Sequence, residues 1–153
     1  MKKVILGILY WIGQLTWGIL MTIIGIFTAI FCLIFLKGKP HKNGYSFIIE
    51  VGGNWGGVNL GAISLCGNYS QIDNYWFEHT RKHEAGHSLQ NLIFGPLFPF
   101  IVAIPSACRY WYSRYMYKKG IFLSNAWYES AWFEHTATNW GTWYIDKVEN
   151  TGK

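Results

Sequence analysis

The pentapeptide "HEAGH" occupies His83–His87, and its spacing organises everything else that can be read from the chain. On an α-helix, residues four apart lie on one face, so His83 and His87 can turn their rings towards a single point. Glu84 is rotated about 100° from His83, which sets its carboxylate beside that point instead of on it. Imidazole nitrogens bind zinc at about 2.0–2.1 Å, and a catalytic zinc keeps one position open for water. Five residues thus offer two metal ligands, His83 and His87, and a general base, Glu84. The plainer alternative is a surface helix that happens to carry two histidines.

The helix is bounded in sequence. Asp73 or Asn74 is a candidate N-cap, a helical run extends through about Phe94, and Gly95 with Pro96 supplies the stop. Upstream, Ser46–Val51 and Val58–Leu65 read as two strands of a hairpin around the Gly/Asn turn "GGNWGG". No lysine and hydroxyl pair follows those glycines, which argues against a phosphate-binding loop. Downstream, "LFPFIVAIPSA" is apolar but short and broken by Pro99 and Pro105, as expected of a buried or membrane-dipping segment. From Ser106 to Gly120 arginines and lysines alternate with tyrosines and Trp111, a mixture suited to the head-group region of a bilayer. A last helix is expected from about Asn125, with Gly141 as a kink or end.

A third ligand must come from that last helix. Gln90 and Ile93 stand where a metzincin would have Gly and His after the second motif histidine, so that class is excluded. Glu129 and Glu134 are the candidates. Ala137 and Gly141, three and seven residues beyond Glu134, keep its face of the helix thin enough to approach the motif helix, which favours Glu134. The stretch "WFEHT" occurs twice, at Trp76–Thr80 and Trp132–Thr136, and its copies separate on this criterion. His79 and His87 are about 12 Å apart along a helix axis and cannot share one ion. Glu78 and His79 therefore read as first-turn residues, with Glu78 near the positive helix end and able to pair with Lys82. In the second copy Glu134 is the favoured ligand; His135 could ligate instead, but adjacent helical residues point apart, so only one of the two can face the ion. An oxyanion-stabilising donor is also required, for which His135, Tyr128 and Tyr144 qualify by location.

"HEAGH" with a downstream helical glutamate resembles the gluzincin branch of zinc metallopeptidases. The longer pattern "HEAGHSLQNLIFGPLFPFIVAIPSACRYWY" followed by "WFEHTATNWG" is similar to small bacterial membrane-associated proteins with an H-E-x-x-H core, a resemblance that covers most of the chain and brings no substrate with it. It implies one zinc ion per chain and hydrolysis of a peptide bond by metal-activated water. Gluzincins often place an Asp four residues after the glutamate ligand to orient a metal-bound histidine; Thr138 stands there, which questions the support of that ligand. The rival from another class is a non-catalytic membrane protein with a structural metal or a protein-binding role.

The N-terminal third sets the location. The chain of 153 residues is 51% hydrophobic, 19% aromatic and 14% charged, too apolar for an ordinary soluble domain. No charge interrupts Val4–Leu36, a run longer than the roughly 20 residues a membrane span requires. Residues 1–37 are expected to form a single transmembrane helix, with a two-helix hairpin turning in "GQLTWG" (Gly13–Gly18) as the competing arrangement. A cleaved signal peptide would have an apolar region of only about 7–15 residues and a small-x-small cleavage site. Lysines flank both ends of the run, with the excess after it, so the positive-inside rule leans towards a C-terminal domain in the bacterial cytoplasm. Residues 38–44 read as a basic linker and 45–153 as a minimal zincin-like domain, making the whole an α+β, single-pass membrane protein. The net charge of +5 lies beside apolar runs instead of along a solvated stripe, which favours lipid head groups over nucleic acid. Cys32, Cys66 and Cys108 are odd in number and too dispersed for a disulfide framework or a metal knuckle.

Overall fold

The apolar N-terminal run does not form one helix. In the structure, a computed structural model that describes residues 2–53, 55–68 and 73–150, it divides into α1 (Lys2–Thr16) and α2 (Ile19–Phe35), bent by 98° about the intervening break. Met1 of the basic leader, Asn54 of the glycine turn and residues 151–153 of the expected domain lie outside the described residues. The bend has a polar cause. Gln14 is fully buried; its amide nitrogen donates to the Ser88 carbonyl at 3.0 Å, and its oxygen accepts from Thr22 Oγ1 at 3.0 Å and Asn91 Nδ2 at 2.7 Å. Asn91 also donates to the Gly18 carbonyl at 3.1 Å. The Gly18 carbonyl, which also accepts from the Thr22 N–H at 3.2 Å, is thereby tied to α3 at the break. The single-helix expectation is corrected accordingly: among the described residues no single helix is long and apolar enough to cross a membrane, and the break lies within the stretch named for the hairpin.

Beyond α2 the chain builds a four-stranded sheet from β1 (Lys39–Asn43), β2 (Ser46–Glu50), β3 (Gly57–Leu60) and β4 (Ile63–Cys66), in the order β1-β2-β4-β3. β1 pairs antiparallel with β2, β2 parallel with β4, and β4 antiparallel with β3. Three expectations change here. The hairpin of 46–51 with 58–65 does not form, since β2 runs parallel to β4 and the antiparallel pairs are β1 with β2 and β3 with β4. The basic linker 38–44 contains β1, and the expected strand 58–65 folds back on itself at Gly61 and Ala62 to give β3 and β4. Gly61 makes that turn with φ +75, and a Cβ there would run into Thr22 of α2, so only glycine fits both backbone and neighbour.

Successive residues of a strand face opposite sides, and both sides of this sheet are covered. Ile49, Ile63 and Leu65 pack with Ala29 and Cys32 of α2. Ile48 and Cys66 pack with Phe77, which belongs to α3 (Asn74–Phe94). α3 is capped by Asp73, whose side chain accepts from the Tyr75 N–H, and ends at Gly95 with φ 51. A 3-10 turn (Gly95–Leu97) and a π-helical turn (Pro99–Ala103) lead into α4 (Ile104–Lys118). Pro105 lies in the first turn of α4, where its missing N–H costs nothing, so it does not break the segment. The expected last helix is two: α5 (Asn125–Glu129), capped by Ser124, and α6 (Trp132–Asn150), which passes through Gly141 without ending. The architecture is α+β, with six α-helices and one sheet among the described residues.

Candidate metal centre

α3 and α6 approach each other closely because both are thinned at the crossing. A Cβ on Gly86 would fall on the Ala137 carbonyl, and a Cβ on Gly141 on the Lys82 carbonyl. Arg81 locks the far end with a two-pronged contact to Glu149 at 2.9 and 3.0 Å, and Lys82 pairs with Asp146 at 2.9 Å. Glu134, in the first turn of α6, is consequently driven against the motif face of α3 and is fully buried.

Three atoms converge there. Glu134 Oε2 lies 3.0 Å from His83 Nε2 and 3.3 Å from His87 Nε2, and the two nitrogens are 3.1 Å apart. Neither Glu134 oxygen is in hydrogen-bonding geometry despite complete burial; the carboxylate is close to both rings, yet aligned with neither. The tautomer of His87 follows from its neighbours. Gln90 Nε2 sits 2.8 Å from the Phe133 carbonyl, which can only accept, so the Gln90 oxygen is the atom 2.7 Å from His87 Nδ1. His87 Nδ1 must therefore carry the proton, and its Nε2 faces the other two atoms with a lone pair. His83 Nδ1 is held 2.9 Å from Thr138 Oγ1. Thr138 thus occupies, with a hydroxyl, the supporting role that its position after Glu134 had thrown into question. Glu134 Oε2 and the two Nε2 atoms surround one point. They are close enough for a single metal ion, and the outward nitrogens are anchored as metal-bound histidines ordinarily are.

The electrostatics follow from burial and proximity. Burial opposes ionisation of Glu134, but the two imidazoles outweigh it and hold this carboxyl far below the usual carboxylate range. Burial lowers His83. It would also lower His87, where Glu134 and Glu84 prevail and raise it. Glu84 is pushed up to about 8, chiefly by burial, with Glu134 adding and His87 opposing. Its Oε2 has no hydrogen-bond partner. Any side chain at Gly57 of β3 would strike its carboxylate, and Asn59 donates to its backbone carbonyl at 3.2 Å.

A cavity of about 280 Å³ opens beside the triangle, bounded by Glu84, Val58, Phe98, Val102, Trp111 and Tyr128. A second hollow of about 150 Å³ continues past Gly56, Gly57 and His79. Glu84, His83 and Tyr128 border both. Tyr128 is steered by α4: Arg109 stacks on the Trp127 ring at 3.8 Å, its Nε donates to the Tyr128 carbonyl at 2.8 Å, and Ser106 Oγ lies 3.2 Å from the phenol oxygen. Burial, then the nearby Glu134 charge, raises this phenol above its ordinary range, so it stays a donor.

Among the oxyanion candidates, only Tyr128 reaches the cavity. His135 is exposed and pairs with Asn139 at 2.9 Å. Tyr144 is buried elsewhere, its hydroxyl accepting from the Tyr45 N–H at 2.7 Å. Glu129 meets His79 at 3.1 Å instead of the metal site. Glu78 pairs with Arg81 at 2.7 Å and not with Lys82. Gln90 is a functional residue that the motif alone does not mark; its one sequence signal is its place a turn after His87. Compared with protein-family models, curated proteins and solved structures, the chain matches none.

Proposed function

We propose that the protein is a bilayer-attached zinc-dependent peptidase with a minimal zincin-like domain, in which His83, His87 and Glu134 hold the metal and Glu84 is the base. The observation that carries this reading is the triangle of ligand atoms with edges of 3.0, 3.1 and 3.3 Å. Tetrahedral ligands at zinc distances of about 2.0–2.1 Å are separated by about 3.3–3.4 Å, so the site is within a few tenths of an ångström of the required spacing. Structural zinc sites are closed by four protein ligands, whereas catalytic ones have three beside an open position. Three ligands next to a cavity, with a buried carboxylate at its wall, favour catalysis over a structural metal.

Zinc bound there would supply a Lewis acid and a water whose pKa is near neutrality. The remaining work belongs to the chain. Glu84, buried and with Oε2 without a partner, accepts the proton of the attacking water in its ionised form and returns it to the leaving amine. Cleavage should therefore rise with pH as this carboxyl, pushed up to about 8, ionises. The Tyr128 hydroxyl donates to the charge that develops on the carbonyl oxygen. β3 is one of the two edge strands, and Gly56 and Gly57 beside Glu84 leave room for an extended peptide to lie along it. The apolar cavity wall accepts an uncharged side chain. The exposed apolar surfaces of α1 and α2, together with the aromatic and basic surface of α4, favour substrates at or in a membrane.

Metal analysis and a peptide-cleavage assay on protein in nanodiscs test this. About one zinc per chain is expected, absent in His87→Ala; Glu84→Gln should retain the zinc and lose cleavage. Wild type without metal, or Glu84→Gln with unchanged cleavage, removes the peptidase reading.

A further inference from the structure

α4 ends in an ordered turn that faces outward. Gly120 has φ +80 and its N–H reaches the Tyr117 carbonyl at 3.0 Å, while the Ile121 N–H closes on the Met116 carbonyl at 3.0 Å, the paired closure of a glycine-terminated helix. The turn holds Ile121 and Phe122 out, Phe122 at 77% exposure. Leading to it, Trp111, Arg114, Tyr115 and Lys118 are spaced i, i+3, i+4 and i+7, so they share one stripe of the helix, and all four are exposed. Trp111 also borders the cavity beside the metal triangle, so the stripe runs from the cavity edge to the turn. Its charge has one sign. No Asp or Glu occurs from Ala85 to Tyr128; of the flanking acids, Glu84 is buried and Glu129 meets His79. Lys119 Nζ lies 4.5 Å over the Tyr115 ring and the Arg114 guanidinium 6.0 Å from that of Tyr117, contacts that orient a cation without cancelling its charge. Arg109 alone is turned inward, onto Trp127 and Tyr128.

We propose that this stripe and turn form a second membrane contact, distinct from α1 and α2, that docks on the anionic head groups of a bilayer. Arg114, Lys118 and Lys119 meet the phosphates, Ile121 and Phe122 enter the layer beneath them, and the cavity edge at Trp111 is held at the membrane surface. Cations interleaved with exposed aromatic and apolar side chains match an interface that is charged outside and hydrocarbon below. A soluble acidic peptide would answer the charge and leave Ile121 and Phe122 in water. The contact is independent of the metal-centre reading.

The test uses full-length protein in phosphatidylcholine nanodiscs made with or without phosphatidylglycerol. A fluorophore on Ile121→Cys in a Cys108→Ser background reports the turn, since Cys32 and Cys66 are buried, and lipid spin-labelled near the head group quenches it on docking. Phosphatidylglycerol should raise the docked-to-undocked ratio by at least about tenfold, and each of Arg114→Gln, Lys118→Gln and Lys119→Gln should lower it by about fivefold. Phe122→Ser should weaken quenching while all three cations remain. Melting temperature should stay at the wild-type value throughout, and so should co-elution with phosphatidylcholine discs, which reports attachment through α1 and α2 separately. Equal quenching with and without phosphatidylglycerol, or an undiminished response in the Arg114→Gln, Lys118→Gln, Lys119→Gln variant, would overturn the proposal. So would a larger fluorophore response to polyglutamate or a single-stranded oligonucleotide than to phosphatidylglycerol, which assigns the surface to a soluble partner.

Discussion

Gln90 and Thr138 support the proposed metal site without belonging to it. Each fixes the outward nitrogen of one histidine, and loss of such partners ordinarily weakens a metal by about 10–100-fold. Gln90→Ala and Thr138→Ala are expected to show that loss in competitive zinc titrations, whereas Gln90→Glu and Thr138→Ser, which keep an acceptor oxygen, should recover most of it. Tyr128→Phe has a different signature. It should lower kcat by about 10²–10³-fold with metal retained, as removal of an oxyanion donor does; Tyr144→Phe, remote from the cavity, should leave kcat unchanged. The cysteines report burial directly. Cys66 is fully buried and its thiol is pushed up to about 12, first by burial and then by Glu50 and Glu84, while Cys108 is exposed. At pH 8 a thiol reagent should therefore label Cys108 and spare Cys66 in folded protein. Between pH 9 and 12 the unfolded chain releases this proton and the folded chain keeps it, so Cys66 makes stability fall as pH rises through that window.

At the scale of elements, the α3–α6 crossing decides whether the ligands meet. Gly86→Ala and Gly141→Ala each force a methyl group onto a facing carbonyl, and such overpacking costs about 1–3 kcal/mol or more. Both should lower the urea midpoint and the zinc affinity together, since the separation that relieves the clash also withdraws Glu134. The thinness of α6 at Ala137 and Gly141 was legible in the sequence, and so were the Asp73 cap and Gly95 stop of α3, because each depends on residues a turn or so apart. β1 was not legible. "KPHKN" has the composition of a turn and becomes a strand only by pairing with β2, a tertiary effect that local propensity does not contain. The bend between α1 and α2 escaped for the same reason: Gln14 looked like an isolated polar residue in an apolar run, and its partners Ser88 and Asn91 are on a distant helix. The Glu129–His79 pair and the place of Tyr128 also depend on how α4 and α5 fold over the cleft.

For the molecule as a whole, the dominant fact is apolar surface. Large hydrophobic side chains are exposed along the faces of α1 and α2 turned away from the rest of the fold, Phe27 at 70% and Phe35 at 68%, a contiguous apolar surface of the kind that marks an interaction with a membrane or a partner. Because the two helices meet at 98°, the membrane attachment we propose is by a bent pair and not by a single-pass anchor. The protein should remain with membranes through alkaline carbonate extraction, a behaviour that high salt does not alter. The metal should in turn stabilise the folded molecule, because its removal leaves the Glu134 carboxylate buried and without hydrogen bonds; chelation is expected to lower the melting temperature by several degrees. Zinc K-edge absorption on the purified, membrane-reconstituted protein examines the site most directly. The ligand set read from the structure gives two imidazole nitrogens and one carboxylate oxygen at about 2.0–2.1 Å with a further light atom, and loss of the oxygen-bound spectrum in Glu134→Gln but not in Glu129→Gln. A metal-free protein, or a spectrum unchanged by Glu134→Gln, would contradict it.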